Sequence, residues 1–311
     1  MRAVGLMRFG GPEVLEVVDV PETHAGPGEV RLRVHAAAVN PTDTLLRSGA
    51  RADAMKADPP PYVPGMDAAG VVDEVGAGVT HVAVGDRVMA IVLPKGSHGA
   101  YRESVVLPAE SVVRAPAGST HAQAASLPMN ALTARLSLDL LGLTPGQVIA
   151  VTGAAGAYGG YVVQLAKADG LTVVADASDA DRALVVQLGA DVVVARGDDF
   201  ASEVRAMYPG GVDAVADGAL LNELALAAVR DGGAFTVVRG FVPAPERDIR
   251  SSVTFVREYA RERAKLDRLR EQVEAGQVTL RVADTYPAER AAETHARLEQ
   301  GGTRGRLIIE F

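Results

Sequence analysis

The segment Val148–Lys167 constrains the fold of this chain more than any other. It passes from a short apolar strand through a glycine-rich turn directly into an amphipathic helix. Gly153 permits a turn that a side chain would obstruct, Gly156 allows backbone to approach a phosphate, and Gly159 allows the helix to pack tightly on the strand. Because amides at a helix N-terminus attract anions, the segment predicts a dinucleotide pyrophosphate site. Ala155 departs from the common G-x-G-x-x-G spacing, so a turn in some other doubly wound sheet is the alternative interpretation.

Four more strand patterns follow the glycine turn and alternate with helical ones. The predicted strands are Leu171–Ala175, Val192–Val194, Val212–Ala216 and Ala234–Val238. The predicted helices are Asp181–Leu188, Asn222–Arg230 and the highly charged Arg257–Arg268. Alternation of this kind requires right-handed crossovers and produces a parallel sheet covered on both faces. A nucleotide site is then expected where the strand order of the sheet reverses.

The composition separates this chain from several functional classes. Its 311 residues exceed what one core usually organises, so two domains are expected. The formal net charge is -8 and no basic cluster accompanies aromatic residues, which argues against nucleic acid as a partner. No apolar run predicts a membrane span and no signal peptide is recognisable, so we expect a cytoplasmic protein with no membrane partner. The absence of cysteine removes disulfides, thiol nucleophiles and cysteine-containing zinc sites.

Short strand patterns with turn residues near their ends also occupy the N-terminal part of the chain, and one more lies at the C-terminal end. They are Val30–Ala36, Gly70–Gly76, Asp86–Val92, Ala100–Leu107 and Gly305–Phe311. Strands of this length and spacing are typical of a barrel-like β domain. We therefore expect a β domain formed by residues 1–120 and 257–311, and a dinucleotide-binding domain formed by residues 121–256.

Six ordered motifs resemble those of a known family. They are Ala38-Val-Asn-Pro-Thr-Asp43, Pro64-Gly-Met-Asp-Ala-Ala-Gly70, Val84-Gly-Asp-Arg-Val88, Gly99-Ala-Tyr-Arg-Glu103, Ala125-Ser-Leu-Pro-Met-Asn-Ala-Leu-Thr-Ala134 and the glycine turn. In this order they resemble the medium-chain dehydrogenase/reductase superfamily, and most closely its zinc-free quinone oxidoreductase branch. The resemblance implies an α/β protein with a GroES-like β-barrel-type catalytic domain and a Rossmann doubly wound parallel sheet. It also implies a homodimer, and hydride transfer in a cleft between the domains.

The motifs that hold catalytic zinc in related alcohol dehydrogenases lack their ligands here. Where those enzymes carry a cysteine and a His-Glu pair, this chain reads Asn40-Pro-Thr-Asp43 and Gly65-Met-Asp67, so we expect no zinc. Without a Lewis acid the oxidation of an unactivated alcohol is difficult, because nothing acidifies its hydroxyl. Reduction of a conjugated acceptor is easier, since hydride addition leaves an oxyanion that hydrogen bonds can stabilise.

Candidate catalytic residues follow from the same resemblance. The family places the first motif near the nicotinamide, and Asn130 and Thr133 belong to the helix that leads into the second domain. Asn40, Asn130 and Thr133 are interpreted as groups that position nicotinamide or the substrate carbonyl. Asp43 is a candidate as well, but an acceptor of backbone amides in an Asx-type turn is its simpler interpretation, and a buried capping role is the alternative for Asn130. The tyrosine that relatives commonly carry after this motif is absent, so water is the expected proton source.

Cofactor contacts are predicted from the glycine turn and from the strand ends beside it. The turn residues concerned are Gly153, Ala154, Ala155, Gly156, Ala157, Tyr158 and Gly159. An acid at the end of the next strand usually selects NAD, whereas basic and small polar residues admit the 2'-phosphate of NADP. Ser178, Arg182 and Arg196 predict a 2'-phosphate clamp and favour NADPH, while Asp176 keeps NADH possible. The backbone that would meet the nicotinamide carboxamide follows the fifth strand at Arg239, Gly240 and Phe241.

These residues together predict an NADPH-dependent, zinc-independent oxidoreductase that transfers hydride to a quinone or an α,β-unsaturated carbonyl acceptor. One alternative is a substrate-selective enoyl reductase of a biosynthetic pathway. A second alternative, suggested by the missing tyrosine, is a non-catalytic NADPH-binding structural or sensor protein.

Overall fold

The computed structural model describes residues 1–55, 57–241 and 243–311. The chain divides into two units, which we call the first and the second unit. The first unit comprises residues 1–129, 257–275 and 279–311, and the second comprises residues 130–256 and 276–278. The first unit is therefore discontinuous in sequence, because its C-terminal part follows the second unit.

Strands and helices are numbered in chain order. The strands are β1 (Arg2–Gly5), β2 (Glu16–Asp19), β3 (Glu29–Ala38), β4 (Asp67–Val75), β5 (Arg87–Ile91), β6 (Ser104–Pro108), β7 (Val112–Arg114), β8 (Val148–Thr152), β9 (Thr172–Ala177), β10 (Val192–Ala195), β11 (Val212–Asp217), β12 (Val229–Val237), β13 (Arg250–Val253), β14 (Val282–Pro287) and β15 (Arg306–Glu310). The α-helices are α1 (Pro41–Ser48), α2 (Ala52–Met55), α3 (His121–Ala125), α4 (Pro128–Leu141), α5 (Ala157–Ala168), α6 (Arg182–Gln187), α7 (Phe200–Met207), α8 (Glu223–Leu226), α9 (Arg263–Glu274) and α10 (Ala291–Gln300).

The first unit is built around a sheet with the strand order β14-β15-β3-β4-β5-β7, and β6 also pairs with β3. Val30, Leu32 and Val34 alternate with less buried residues along β3, so one face of this long strand packs into the core. β15 lies antiparallel to β3, with Ile308 opposite Ala38. The C-terminal strand thus returns to the β unit, as the sequence predicts.

The second unit contains a parallel sheet with the order β10-β9-β8-β11-β12-β13. Counted from β8, this order is 3-2-1-4-5-6, which is that of a doubly wound dinucleotide-binding sheet. Ala150, Val151 and Val215 on the two central strands are fully buried, which explains why these strands are continuously apolar in sequence. The order reverses between β8 and β11, so the glycine turn after β8 lies at the switch point. The predicted fold class is confirmed.

One predicted helix is too long. The helix expected over residues 222–230 ends after Leu226 as α8, because Val229 is fully buried and already pairs with Val212 as the first residue of β12. Gly232 lies inside that strand with a φ of +68°, where the register with β11 shifts. Gly232 thus allows the strand to bulge at this point.

The charged helix begins later than predicted. It was expected from Arg257, but α9 starts at Arg263, after a short 3-10 helix at Val256–Tyr259. The carbonyl oxygen of Ala260 accepts a 2.6 Å hydrogen bond from the Ser111 hydroxyl, which anchors the chain in a turn at this point. Only beyond that anchor does the helical pattern bury Leu266 and the other residues of one face.

Candidate functional site

The glycine turn occupies the space between β8 and α5 with almost no side chains. Gly153 has a φ of +67°, which residues other than glycine rarely adopt. A Cβ atom on Gly159 would lie 2.3 Å from the Gly153 carbonyl oxygen, so only glycine lets α5 begin this close to the turn. Gly156 is the N-cap of α5, whose first-turn amides have no acceptor within the helix and attract anions. The geometry of residues 153–159 therefore fits a pyrophosphate that is held mainly by backbone.

Asp176, at the end of β9, is turned towards the glycine turn. Its Oδ1 atom accepts a 3.0 Å hydrogen bond from the Ala154 amide, and the residue is 2% exposed. Burial raises the pKa of Asp176, and the neighbouring Asp217 adds to this, while the Ala154 and Gly153 amides and Arg196 oppose it. The carboxylate is thus a support of the turn and is not displayed at the strand end.

Ser178, Arg182 and Arg196 lie together where β9 and β10 end. The Arg196 amide donates to the carbonyl oxygen of Ala177 at 3.0 Å, because the chain leaves β10 in register with β9. The Arg182 guanidinium donates to the Val193 carbonyl oxygen at 3.1 Å, and both arginines are exposed. The Ser178 hydroxyl donates to Asp181 at 2.7 Å. The structure therefore brings the three predicted clamp residues to one edge of the second unit.

Asp217, which sequence reasoning missed, organises the loop after β11. It is fully buried and accepts hydrogen bonds from the Thr152 hydroxyl at 2.5 Å and from the Asn222 amide at 2.7 Å. These contacts hold Leu220 and Asn222 at φ values of 62° and 56°, which are rare for residues with side chains. The signal that could have identified Asp217 is a single acid that ends an apolar strand at the edge of the sheet where ligands bind.

Asn130 and Thr133 lie on α4 and are largely buried. Their spacing places both on the face that also carries Ser137. The Ser137 hydroxyl lies 2.8 Å from the Tyr158 hydroxyl and 2.9 Å from that of Thr254. Tyr158 of the glycine turn is therefore tied to α4 by its phenol group, a buried polar cluster that the sequence pattern did not indicate.

The segment Arg239–Phe241 follows β12 at the carboxyl edge of the same sheet. The side chain of Arg239 is exposed, and Gly240 has open space where a side chain would be. Phe241 is half-buried and its ring meets that of Phe235 edge to face, with the centroids 6.4 Å apart. Phe241 thus anchors the segment to the core of the second unit.

In the first unit, Asn40 is fully buried at the start of α1. Its side-chain nitrogen donates to Asp67 at 2.9 Å, and its side-chain oxygen accepts from Arg306 at 2.7 Å. Arg306 also forms a 2.9 Å ion pair with Asp67, so both charges are compensated inside the unit. The amide of Asn40 therefore holds the corner between β3 and α1 in place. Arg306 comes from β15, too far along the chain for local pattern to reveal it.

Asp43 is a buried acceptor at the same corner. Its Oδ2 atom accepts from the Asn40 amide at 2.8 Å and from the Tyr101 hydroxyl at 3.0 Å, and Oδ1 accepts from the Gly65 amide at 3.1 Å. Burial raises the pKa of Asp43 to about 6. His295, which sequence reasoning also missed, lies with its Nε2 atom 3.3 Å from the Tyr101 hydroxyl, and burial lowers its pKa to about 3.

Metal-ligating side chains do not converge anywhere in residues 1–55, 57–241 and 243–311: no group of three or more His, Asp or Glu side chains could hold an ion. The chain has no cysteine to supply a thiolate. Asp67, which stands in the second motif where related zinc enzymes carry a ligand pair, is committed to Arg306 and Asn40. The donor set at this corner therefore does not fit zinc.

The fold and the glycine turn define a two-unit protein of the alcohol dehydrogenase type, and comparison with known proteins agrees. Residues 26–117 match the alcohol dehydrogenase GroES-like domain, and residues 188–309 match the zinc-binding dehydrogenase family. The quinone oxidoreductase of Mus musculus is 32% identical over 99% of this chain and 97% of its own length. The chain belongs to the quinone oxidoreductase branch of the medium-chain dehydrogenase/reductase superfamily.

Solved structures also resemble the whole chain, and two of them bear on the cofactor. An NAD-dependent alcohol dehydrogenase is 33% identical, with both chains fully covered and a TM-score of 0.87. A mycobacterial protein complexed with NADPH is 29% identical, again with full coverage of both chains and a TM-score of 0.87. One of these similar proteins is described as NAD-dependent and the other is complexed with NADPH. Overall similarity therefore does not distinguish the two nucleotides. Among the helices of the described residues, none combines the length and apolar character needed to cross a bilayer.

Proposed function

We propose that this protein is an NADPH-dependent, zinc-independent oxidoreductase that transfers hydride to a quinone or an α,β-unsaturated carbonyl compound. The observation that carries the proposal is a contrast between side chains at the ends of β9 and β10. Asp176 is buried beneath the glycine turn, whereas Arg182 and Arg196 are exposed beside it. An acid selects NAD by reaching the ribose diol, and a buried Asp176 is not placed to do so. Membership in the quinone oxidoreductase branch supports the reaction class.

The residues of the second unit divide the binding of the nucleotide between them. Residues 153–159 would hold the pyrophosphate through backbone amides, with Asp176 supporting the turn from below. Arg182, Arg196 and Ser178 would hold the 2'-phosphate, since guanidinium groups make paired, charge-assisted hydrogen bonds to phosphate. The exposed backbone at Gly240 offers amide and carbonyl groups to the nicotinamide carboxamide.

NADPH supplies the hydride when it is bound. The protein must then stabilise the negative charge that develops on the acceptor oxygen, and it must hold the acceptor close to the nicotinamide. Asn130 and Thr133 on α4 are the proposed donors and positioning groups for nicotinamide or substrate carbonyl. Asn40 and Asp43 are proposed to act by holding the start of α1, because their polar atoms already contact protein groups. Water remains the proposed proton source for the reduced product.

The proposed acceptors are chosen because Asn40 and Asp67 do not form a zinc site. A quinone or enone accepts hydride at an electron-poor carbon, so hydrogen bonds alone can stabilise the resulting oxyanion. A simple alcohol needs a Lewis acid to become a good hydride donor, and the residues in the motifs of Asn40 and Asp67 do not fit a metal ion of that kind. Activity should therefore be insensitive to chelators.

We also propose that the protein is a homodimer. β13 is the outermost strand of the parallel sheet, so one of its edges has no partner strand among the residues that the structure describes. Phe255, two residues beyond β13, is 42% exposed. Sedimentation equilibrium measures the mass directly, and a monomer would contradict this part of the proposal.

Stopped-flow oxidation of NADPH by a panel of quinones and enones tests the function. We expect rapid loss of NADPH absorbance with several quinones or small enones, unchanged by a chelator. Oxidation by a single bulky enone and by no quinone would favour the selective enoyl reductase instead. Binding of NADPH without oxidation by any acceptor would overturn the enzyme proposal and favour a nucleotide-binding sensor.

A further inference from the structure

Asp176 is a buried carboxylate with one oxygen left unpaired. Its Oδ1 atom accepts from Ala154, but Oδ2 is buried and has no hydrogen-bond partner within the described residues. A charged oxygen removed from water without a partner is costly, whereas a neutral carboxyl avoids most of that cost. Protonation of Asp176 therefore changes the free energy of the folded protein substantially.

The charges that face Asp176 come from three neighbouring elements. Asp217, at the end of β11, disfavours the charged carboxylate, and Arg196, after β10, favours it. The amides of Gly153 and Ala154 in the turn after β8 also favour it. Burial outweighs these contacts and raises the pKa of Asp176. In the free protein the carboxylate therefore depends on the turn amides and on Arg196 for its stabilisation.

A bound dinucleotide would compete for both of those stabilising groups. The pyrophosphate would be held by the same turn to which Ala154 belongs, and it adds negative charge beside Asp176. The 2'-phosphate would engage Arg196, whose positive charge would then be shared with a second anion. Both effects disfavour the Asp176 carboxylate, and both act in a site with little water to screen them.

We propose that Asp176 takes up a proton from solvent when NADPH binds, so that affinity for the cofactor rises as the pH falls. The inference rests on the proposed function, because it places NADPH on the glycine turn. The proton adds to Oδ2, while Oδ1 keeps its hydrogen bond from Ala154. By linkage, the dissociation constant rises with pH between the pKa of Asp176 in the free protein and its higher pKa in the complex, at most about tenfold per pH unit.

Isothermal titration calorimetry of NADPH into the full chain measures the proton directly. Titrations at one slightly acidic pH, in buffers of different ionisation enthalpy, yield the number of protons taken up. Asp176→Asn keeps the shape and an acceptor oxygen but cannot titrate. Asp213→Asn is the matched control, because Asp213 also accepts a strand amide, from Val148 at 2.8 Å, but lies near the opposite end of β11 and is paired with Arg230. Subtracting the proton uptake of Asp176→Asn from that of the wild type cancels the protons exchanged by the 2'-phosphate itself, which titrates at about pH 6.

We expect the wild type and Asp213→Asn to take up a larger fraction of a proton than Asp176→Asn. Equal proton uptake in all three would overturn the inference while leaving the proposed function intact. Failure of the wild type to bind NADPH would overturn both. A second readout needs no variant: infrared difference spectra of the wild type should gain the C=O band of a protonated carboxyl on NADPH addition, and its absence would also overturn the inference.

Discussion

Two buried carboxylates, Asp43 in the first unit and Asp176 in the second, are paired in different ways. In the first unit, Asp43 accepts hydrogen bonds through both oxygens, from Asn40, Gly65 and Tyr101. In the second unit, Asp176 is paired through Oδ1 alone. The hydrogen bonds of Asp43 join several elements of the fold, whereas Asp176 has an unpaired oxygen whose energy a nearby bound anion can change. The corner at α1 should therefore respond to substitution in stability, and the glycine turn in binding.

The largest effect is expected from Asp43→Ala. It leaves the Asn40 and Gly65 amides without an acceptor in the core, and the Tyr101 hydroxyl with only its 3.3 Å contact to His295, so the free energy of unfolding should fall by about 3 kcal/mol. Asp176→Ala removes the 3.0 Å hydrogen bond that the Ala154 amide donates, and should cost about 1 kcal/mol. Chemical denaturation followed by circular dichroism compares the two variants. A larger loss at Asp176 would contradict the division between a structural corner and a binding turn.

Gly159→Ala should weaken NADPH binding about hundredfold while leaving most of the stability in place. The added Cβ would lie 2.3 Å from the Gly153 carbonyl oxygen, so the turn must move away from α5. Fluorescence titration with NADPH measures the change. Gly210→Ala is the control, since a Cβ there meets no atom within 4 Å. Unchanged affinity in Gly159→Ala would mean that the turn does not hold the pyrophosphate.

Stability should also depend on pH through Asp43. Burial raises its pKa to about 6 from an ordinary 3.8, so folding favours the protonated form. The stabilisation that protonated Asp43 contributes to the free energy of unfolding is therefore fully present below pH about 4. It is lost as the pH rises to about 6, and the loss is on the order of 2 kcal/mol. The difference in unfolding free energy between the wild type and Asp43→Asn should fall across this window. A difference that stays constant with pH would contradict the assignment.

Substitution of both Arg182 and Arg196 by alanine should raise the KM for NADPH about tenfold and leave that for NADH unchanged. Each arginine would lose a charge-assisted contact to the 2'-phosphate, which NADH lacks. Arg230→Ala, which removes a half-buried arginine paired with Asp213, serves as the control. Steady-state kinetics with one quinone gives the KM for NADPH and for NADH in each protein. An equal rise for both nucleotides in the double variant would refute the clamp.

The parallel sheet and the glycine turn could be predicted from sequence because their signals are local. Apolar runs, glycine spacing and the residues that follow each strand all lie within a few positions of one another. The corner at α1 could be predicted only in part, since Tyr101 reaches Asp43, and Arg306 reaches Asn40, from distant parts of the chain, and His295 in turn contacts Tyr101. Sequence pattern does not specify which distant side chains meet in a core.

Asp176 shows a second limit of sequence reasoning. Asp176 stands near a position where an acid suggests NAD. Because side chains alternate between the two faces of a strand, a shift of one residue along β9 decides whether the carboxylate faces the ribose or the glycine turn. The structure places it beneath Ala154. The helix expected over residues 222–230 is too long because the pairing of Val229 with Val212 overrides local helical preference after Leu226.

The most direct test of the account compares kcat/KM for NADPH and NADH with a single quinone at neutral pH. The exposed Arg182 in α6 and Arg196 after β10, together with an inward Asp176, predict a value at least about tenfold higher for NADPH. Equal or higher efficiency with NADH would contradict the cofactor assignment. Oxidation of neither nucleotide would contradict the reductase itself.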